Sequence, residues 1–254
     1  MIFDVNAWYG RWPFQQLNVD TPALLKKKLI KAGITSCALS STDAVLVSDP
    51  DIWNTRLFSE VRGDSFFLPV PVFNPCLFSW ERMLEEYQKC GVRAVRFLPG
   101  YHSYTLSDIR SIRAVERVYA LGMLPLIQIR LEDERSQHLL MKVSPPSVDE
   151  VIAFAKRIEA VIVVLAASFF DACRIGIETK NVFVDISYCE RMNLLASMVR
   201  SIPVSRILFG SHAAFFYPES AVLKLLRAEL DKNSKELIGH ITADSLFTTV
   251  SKGG

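Results

Sequence analysis

The side chains best suited to chemistry stand at the ends of short apolar runs. Gln128 and Arg130 are two residues apart in Leu124-Pro125-Leu126-Ile127-Gln128-Ile129-Arg130, between apolar Ile127 and Ile129, so strand periodicity turns both to one side. An arginine at such a place suits an anion, because its planar fork grips a carboxylate through two parallel hydrogen bonds. Asp133, Arg135 and His138 follow in the same polar stretch and are further candidates for contact with a substrate; Glu132 and Glu134 read as part of a solvated charge run. Asp185 alternates with Phe183 and Ser187 and falls in the inward phase, where a carboxylate can orient a histidine or move a proton itself. His212 follows Phe209-Gly210-Ser211 at the end of the last apolar run, a place for a general acid or base. Asp4, Arg96, His102 and Glu190 are second-rank candidates, and His240 is remote.

These residues need a frame, and the hydrophobic pattern supplies one. Eight strand-like runs recur, at residues 2–5, 34–39, 66–73, 92–98, 124–129, 161–165, 182–186 and 207–209. Most are nearly continuous in Val, Ile, Leu and Phe, as expected of parallel strands covered on both faces. Helical stretches lie between them. Thr21-Pro22 reads as a cap and first turn with Gly33 as the stop, Ser147-x-x-Glu150 as a capping box, and a stretch of residues 110–121 ends at Gly122. Eight such units in 254 residues predict a single-domain α/β protein, a (β/α)8 TIM barrel over 1–254, with an open doubly wound sheet as the fallback. No linker, repeat or low-complexity tract divides the chain.

Composition removes several function classes. With 29 basic and 27 acidic residues the formal charge is +2, which offers no electrostatic footing for nucleic acid. No apolar run is long enough to cross a bilayer and the start lacks the plan of a signal peptide, so no membrane is expected and a cytoplasmic location is. The five cysteines are scattered without a C-x-x-C pair and read as buried small hydrophobes.

At Phe3-Asp4-Val5-Asn6-Ala7-Trp8-Tyr9-Gly10 and Phe209-Gly210-Ser211-His212 the sequence resembles the amidohydrolase-related family of metal-dependent hydrolases. In that family the first strand typically ends D-x-H-x-H-x-G and the last F-G-S-D. Asn74-Pro75, Gly91-Val92-Arg93 into Pro99, Leu124-Pro125 and Val184-Asp185-Ile186-Ser187 fall in matching order, so the resemblance spans nearly the whole chain. It implies a TIM barrel with its site at the carboxyl ends of the strands. The departures lie in the metal ligands. Asn6 and Trp8 stand where the family has its H-x-H pair, the regions matching strands five and six hold no histidine, and His212 stands where the family has aspartate. Tryptophan offers only a donor N–H and asparagine is a weak oxygen ligand.

The expectation is therefore a hydrolase of this type without a metal cofactor, with a weakly bound divalent ion such as zinc as the alternative. Its substrate would be a small, anionic, carboxylate-bearing molecule. His212 or Asp185 would take a proton from water, and Arg130, Gln128, Asn6, Trp8, Asp133, Arg135 and His138 would line the substrate. The other readings are a decarboxylase or isomerase on the same scaffold, or a binding or assembly subunit that has lost catalysis. A homo-oligomer is the one protein partner left open.

Overall fold

The computed structural model describes residues 1–249. Nine parallel strands alternate with helices: β1 (Phe3–Tyr9), β2 (Ser36–Ser41), β3 (Phe67–Pro69), β4 (Val72–Phe73), β5 (Ala94–Phe97), β6 (Leu124–Gln128), β7 (Ile162–Leu165), β8 (Val182–Asp185) and β9 (Ile207–Leu208). The ladders run β1-β2-β3 and β4 through β9. Two joints close them into the expected (β/α)8 barrel. The predicted third strand is split into β3 and β4 because Pro69 and Pro71 have no N–H to give the ladder; Val70 N to Leu39 O (2.8 Å), Ser40 Oγ to Val70 O (2.7 Å) and Arg96 N to Pro71 O (2.9 Å) bridge the break. At the other joint Val5 N donates to Phe209 O (3.0 Å) and Trp8 N to Ala213 O (2.5 Å).

Helix ends obey their sequence signals. In α1 (Pro22–Ala32) the Thr21 hydroxyl accepts from Leu24 N, and Gly33 stops the helix at φ 93°. The Ser147 cap holds over the helix Val148–Ala155, with Glu150 N donating to Ser147 Oγ at 3.1 Å. Glu150 does not close the capping box. Its carboxylate instead accepts from Leu106 N at 2.6 Å, tying this helix to the segment beyond β5.

Strand parity fills the barrel in layers. Phe3, Val5, Ala38, Ala94, Leu124, Leu126, Val163, Leu165 and Leu208 pack the lower interior with Phe247 beneath them. The same phases continue upward into Arg96, Gln128, Asp185 and His212, which are also buried. A bulge in β1, where pairing shifts between Asp4 and Ala7, brings Asn6 and Trp8 into this polar layer. Among the described residues no helix is long and apolar enough to cross a membrane.

Candidate functional site

The polar layer is built around a buried cation. Arg96, on β5, is 0% exposed, and its guanidinium lies 4.2 Å from the centre of the Trp8 ring. Its Nη1 donates to Asn6 Oδ1 (2.8 Å) and to Gln128 Oε1 (2.9 Å). Burial pulls its pKa down to about 9, against the attraction of Asp185 and Asp4, which raises it. The compensating carboxylates are buried too. Desolvation pushes Asp4 up to about 6 although Ser211 and the amide of Asn6 hydrogen bond to it, and it pushes Asp185 up despite bonds from Ser187, the Ala166 amide and Asn6. Asp4 fastens β1 to the end of β9, accepting from Ser211 N at 2.9 Å and from the Ser211 hydroxyl.

Asn6 is the hub. Its oxygen accepts from Arg96 and from Trp8 Nε1 (3.1 Å), which fixes the amide so that Nδ2 faces Asp185 Oδ2 (3.0 Å), His212 Nδ1 (3.2 Å) and Ser187 Oγ (3.3 Å). Because Asn6 donates to Nδ1, the proton of a neutral His212 sits on Nε2, which donates to the Leu131 carbonyl at 2.7 Å. Burial drives the His212 pKa down to about 3, so the ring is neutral, and Phe215 stacks on it at 5.3 Å. Two residues here have left-handed backbones, Ala166 (φ 59°) and His212 (φ 57°). The turn at Ala166 aims its N–H at Asp185 Oδ1, 2.8 Å away. Gly210, on the interior face between Leu208 and His212, leaves the space that the Asp185 carboxylate fills; a Cβ there would collide with it.

Beside this layer a cavity of about 610 Å³ opens at the carboxyl ends of the strands. Ser187 and Ser211 reach it from the buried network, Arg130, Tyr188 and Lys224 give it polar walls, and Phe169, Phe215 and Phe216 give it apolar ones. Arg130 is 15% exposed and has only loose acidic neighbours, Glu134 at 3.8 Å and Asp171 at 4.0 Å. Its guanidinium lies 5.4 Å from the Tyr188 ring centre, and both Arg130 Nε and the Tyr188 hydroxyl are buried without a hydrogen-bond partner. Lys224, in contrast, is taken by Glu190 at 2.5 Å.

The sequence candidates thus divide. Asp133 and Arg135 reach the cavity, but as a fork pair on its outer edge, with Arg135 90% exposed and the Asp133 carboxyl held at about 2 by its neighbour's guanidinium. His138 lies outside it, stacked on Phe14 at 5.2 Å with Nδ1 accepting from Leu140 N. Asn6, Trp8, Gln128 and His212 are sealed in the network, and none of them lines the cavity. In this structure all five contact other protein groups: His138 meets Phe14 and Leu140, and Asn6, Trp8, Gln128 and His212 bond within the network and to the carbonyls of Arg130 and Leu131. Arg96, a second-rank candidate in the sequence, stands at the centre of the network. Its one sequence signal was an isolated cation in the inward phase of a strand otherwise made of Ala, Val and Phe. Tyr188 was missed, since nothing local marks a tyrosine after a strand as a free donor.

No family model matches the chain, and no curated protein matches it in sequence. Solved structures do match in shape. The 5-carboxyvanillate decarboxylase of Novosphingobium aromaticivorans, with bound manganese, superposes at a TM-score of 0.76 with 10% identity over 97% of each chain. A dihydroxybenzoic acid decarboxylase from Polaromonas, with bound manganese and 2-nitroresorcinol, gives 0.74 and 14% over 97% of this chain and 96% of that one. A probable 2-pyrone-4,6-dicarboxylic acid hydrolase from Acinetobacter baumannii, with citric acid bound, gives 0.68 and 10% over 97% and 98%. These likenesses establish the fold, a TIM barrel, which is the architecture that the resemblance read from the strand-end motifs implies.

The manganese in two of these structures corrects the expectation of a scaffold without a cofactor: barrels of this shape do hold a metal ion. Its usual donors are a separate matter in this chain. Among the described residues no three His, Cys, Asp or Glu side chains come together. Asp185 already accepts from two protein N–H groups, both His212 nitrogens are engaged, and the Arg96 guanidinium, attracted by Asp4 and Asp185, already supplies a buried positive charge. This donor set does not fit a metal ion.

Proposed function

We propose that this barrel is an acid–base hydrolase acting on a small planar molecule anchored by a carboxylate. The observation that carries the reading is the pair of buried, unpartnered donors, Arg130 Nε and the Tyr188 hydroxyl, on an aromatic-walled cavity. Such donors are costly to bury unsatisfied, and an anionic ligand satisfies them. Arg130 takes the carboxylate and the phenylalanine walls take the ring. Ser187 stands between the cavity and Asp185: it lines the pocket, and its hydroxyl and the Asp185 carboxylate both accept from Asn6 Nδ2, at 3.3 and 3.0 Å. In hydrolysis, Asp185 accepts the proton of an attacking water through Ser187 while the water oxygen bonds to the acyl carbon. Tyr188 donates to the developing oxyanion, the bond to the leaving oxygen breaks, and the proton returns to that oxygen.

An arginine on the anchoring carboxylate argues for reaction elsewhere on the molecule. Loss of CO2 from a carboxylate held by Arg130 would forfeit that interaction in the transition state and so be slowed by it. A second reading, decarboxylation at another carboxylate beside Ser187, is favoured by the raised pKa of Asp185, which suits a proton donor to carbon. The two are separated by incubating the protein with carboxylate-bearing lactones and aryl dicarboxylates and following the products by NMR. Hydrolysis lost in Asp185→Asn supports the proposal; CO2 release supports the second reading. Carboxylates that bind without turnover support a binding subunit, and if no carboxylate shifts the thermal midpoint, the reading of the cavity is wrong.

A further inference from the structure

We infer that Arg96, Gln128, Asn6 and His212 form a positioning device whose output is the backbone of residues 130–131. The inference rests on the reading that Arg130 holds the substrate carboxylate. Every link is directional. The Nη1 of Arg96 claims the oxygen of both carboxamides, so both amide nitrogens must point away from it. The Gln128 nitrogen then donates to the Arg130 carbonyl at 2.7 Å. The Asn6 nitrogen donates to His212 Nδ1, which leaves the ring proton on Nε2 and directs it to the Leu131 carbonyl. One central cation is thereby converted into two donors on consecutive carbonyls.

The place of those carbonyls gives the device its use. The β6 ladder ends at Ile129, whose N–H goes to Leu165 O, so residues 130 and 131 lie beyond the strand bonds. None of the four side chains lines the cavity, whereas Arg130 does. Gln128 meets the cavity wall through Arg130, whereas Asn6 and His212 also touch the wall at Ser187 and Phe215, so Gln128 is the arm that isolates the device. His212 is on this reading a positioning residue and not the base.

Gln128→Glu isolates one arm, because it keeps an oxygen for Arg96 and replaces the donor to the Arg130 carbonyl with a second oxygen. Two measurements follow. In ligand-free protein, hydrogen exchange of a peptide covering residues 130–135 should quicken about tenfold, with a peptide from β8 unchanged, as expected for one lost hydrogen bond. With benzoate as probe, Gln128→Glu should weaken binding by about tenfold in the native background and leave it unaltered in Arg130→Ala, the coupling of residues that act in series. Unchanged exchange, or an equal loss of affinity in both backgrounds, overturns the inference. Quickened exchange in a protein that binds no carboxylate upholds the positioning of residues 130–131 and removes the proposed substrate reading.

Discussion

The opposed pKa shifts of His212 and Asp4 can be read as stability. His212 has a folded pKa of about 3 against 6.5 for a free imidazole, so the unfolded chain takes its proton first, and His212 removes stability as pH falls below 6.5. Asp4 is raised from 3.8 to about 6, so the fold takes that proton first, and stability is lost as pH rises through this window and regained as pH falls. Between pH 7 and pH 4 the histidine costs about 3 kcal/mol and the aspartate returns about 2 kcal/mol, at about 1.4 kcal/mol for each pKa unit. The two nearly cancel in the native protein. Single variants expose each half: His212→Asn, which tolerates the left-handed backbone there, keeps only the aspartate's gain of about 2 kcal/mol on going from pH 7 to pH 4, so it should diverge from the native protein by the missing histidine loss, about 3 kcal/mol. Asp4→Asn should diverge the other way, by about 2 kcal/mol. Urea unfolding at four pH values across this range provides the curves, and because every other titrating group is common to the three proteins, only the differences count. Parallel curves would refute the buried, neutral His212 on which the hydrogen-bond reading depends.

Arg130→Ala should weaken benzoate binding by about 1.5 to 3 kcal/mol, and Arg130→Lys by less, while Arg157→Ala, at an exposed position, leaves it unchanged; titration calorimetry measures this, and equal affinity in all four proteins would remove the anion site. Asp185→Asn strands Arg96 beside one remaining carboxylate and should cost about 3 to 5 kcal/mol in urea unfolding. A loss below about 1 kcal/mol would mean that the buried charges are not paired as described. Gly210→Ala drives a methyl group into the Asp185 carboxylate and should destabilise by about 1 to 3 kcal/mol, with a shift in Asp185 titration by NMR as its companion sign.

The frame was legible because it rests on local pattern. Continuous Val, Ile and Leu runs marked the strands, and Thr21, Gly33 and Ser147 marked helix ends correctly. The split at Pro69 and Pro71 was readable in principle, since proline cannot donate to a ladder, and the bulge that re-phases Asn6 was not. Parity placed Arg130, Asp185 and His212 at one end of the barrel, as found. Parity cannot say which inward side chain faces solvent and which is sealed. That outcome depends on partners such as Asn6 with His212 or Arg96 with Asn6, 206 and 90 residues apart, and on whether Phe215 covers the ring. Gln128 and Arg130 share a face, yet one is spent on its neighbours and the other is left with a free donor.

The joint between β9 and β1 carries a consequence for how this protein can change. Asp4 to Ser211 and Asn6 to Asp185 and His212 cross the line where the ring of strands closes, so the clasp of the barrel is made of the bonds of the polar layer beside the pocket, which Ser211 joins to the pocket wall. A substitution that reshapes the polar layer also loosens the clasp, whereas at the joint with the two prolines the chain itself runs unbroken from β3 into β4. Variation in ligand preference is therefore confined to side chains that stand clear of the clasp, the aromatic walls and the Arg130 segment, while the polar layer beneath them is held constant by the need to keep the barrel shut.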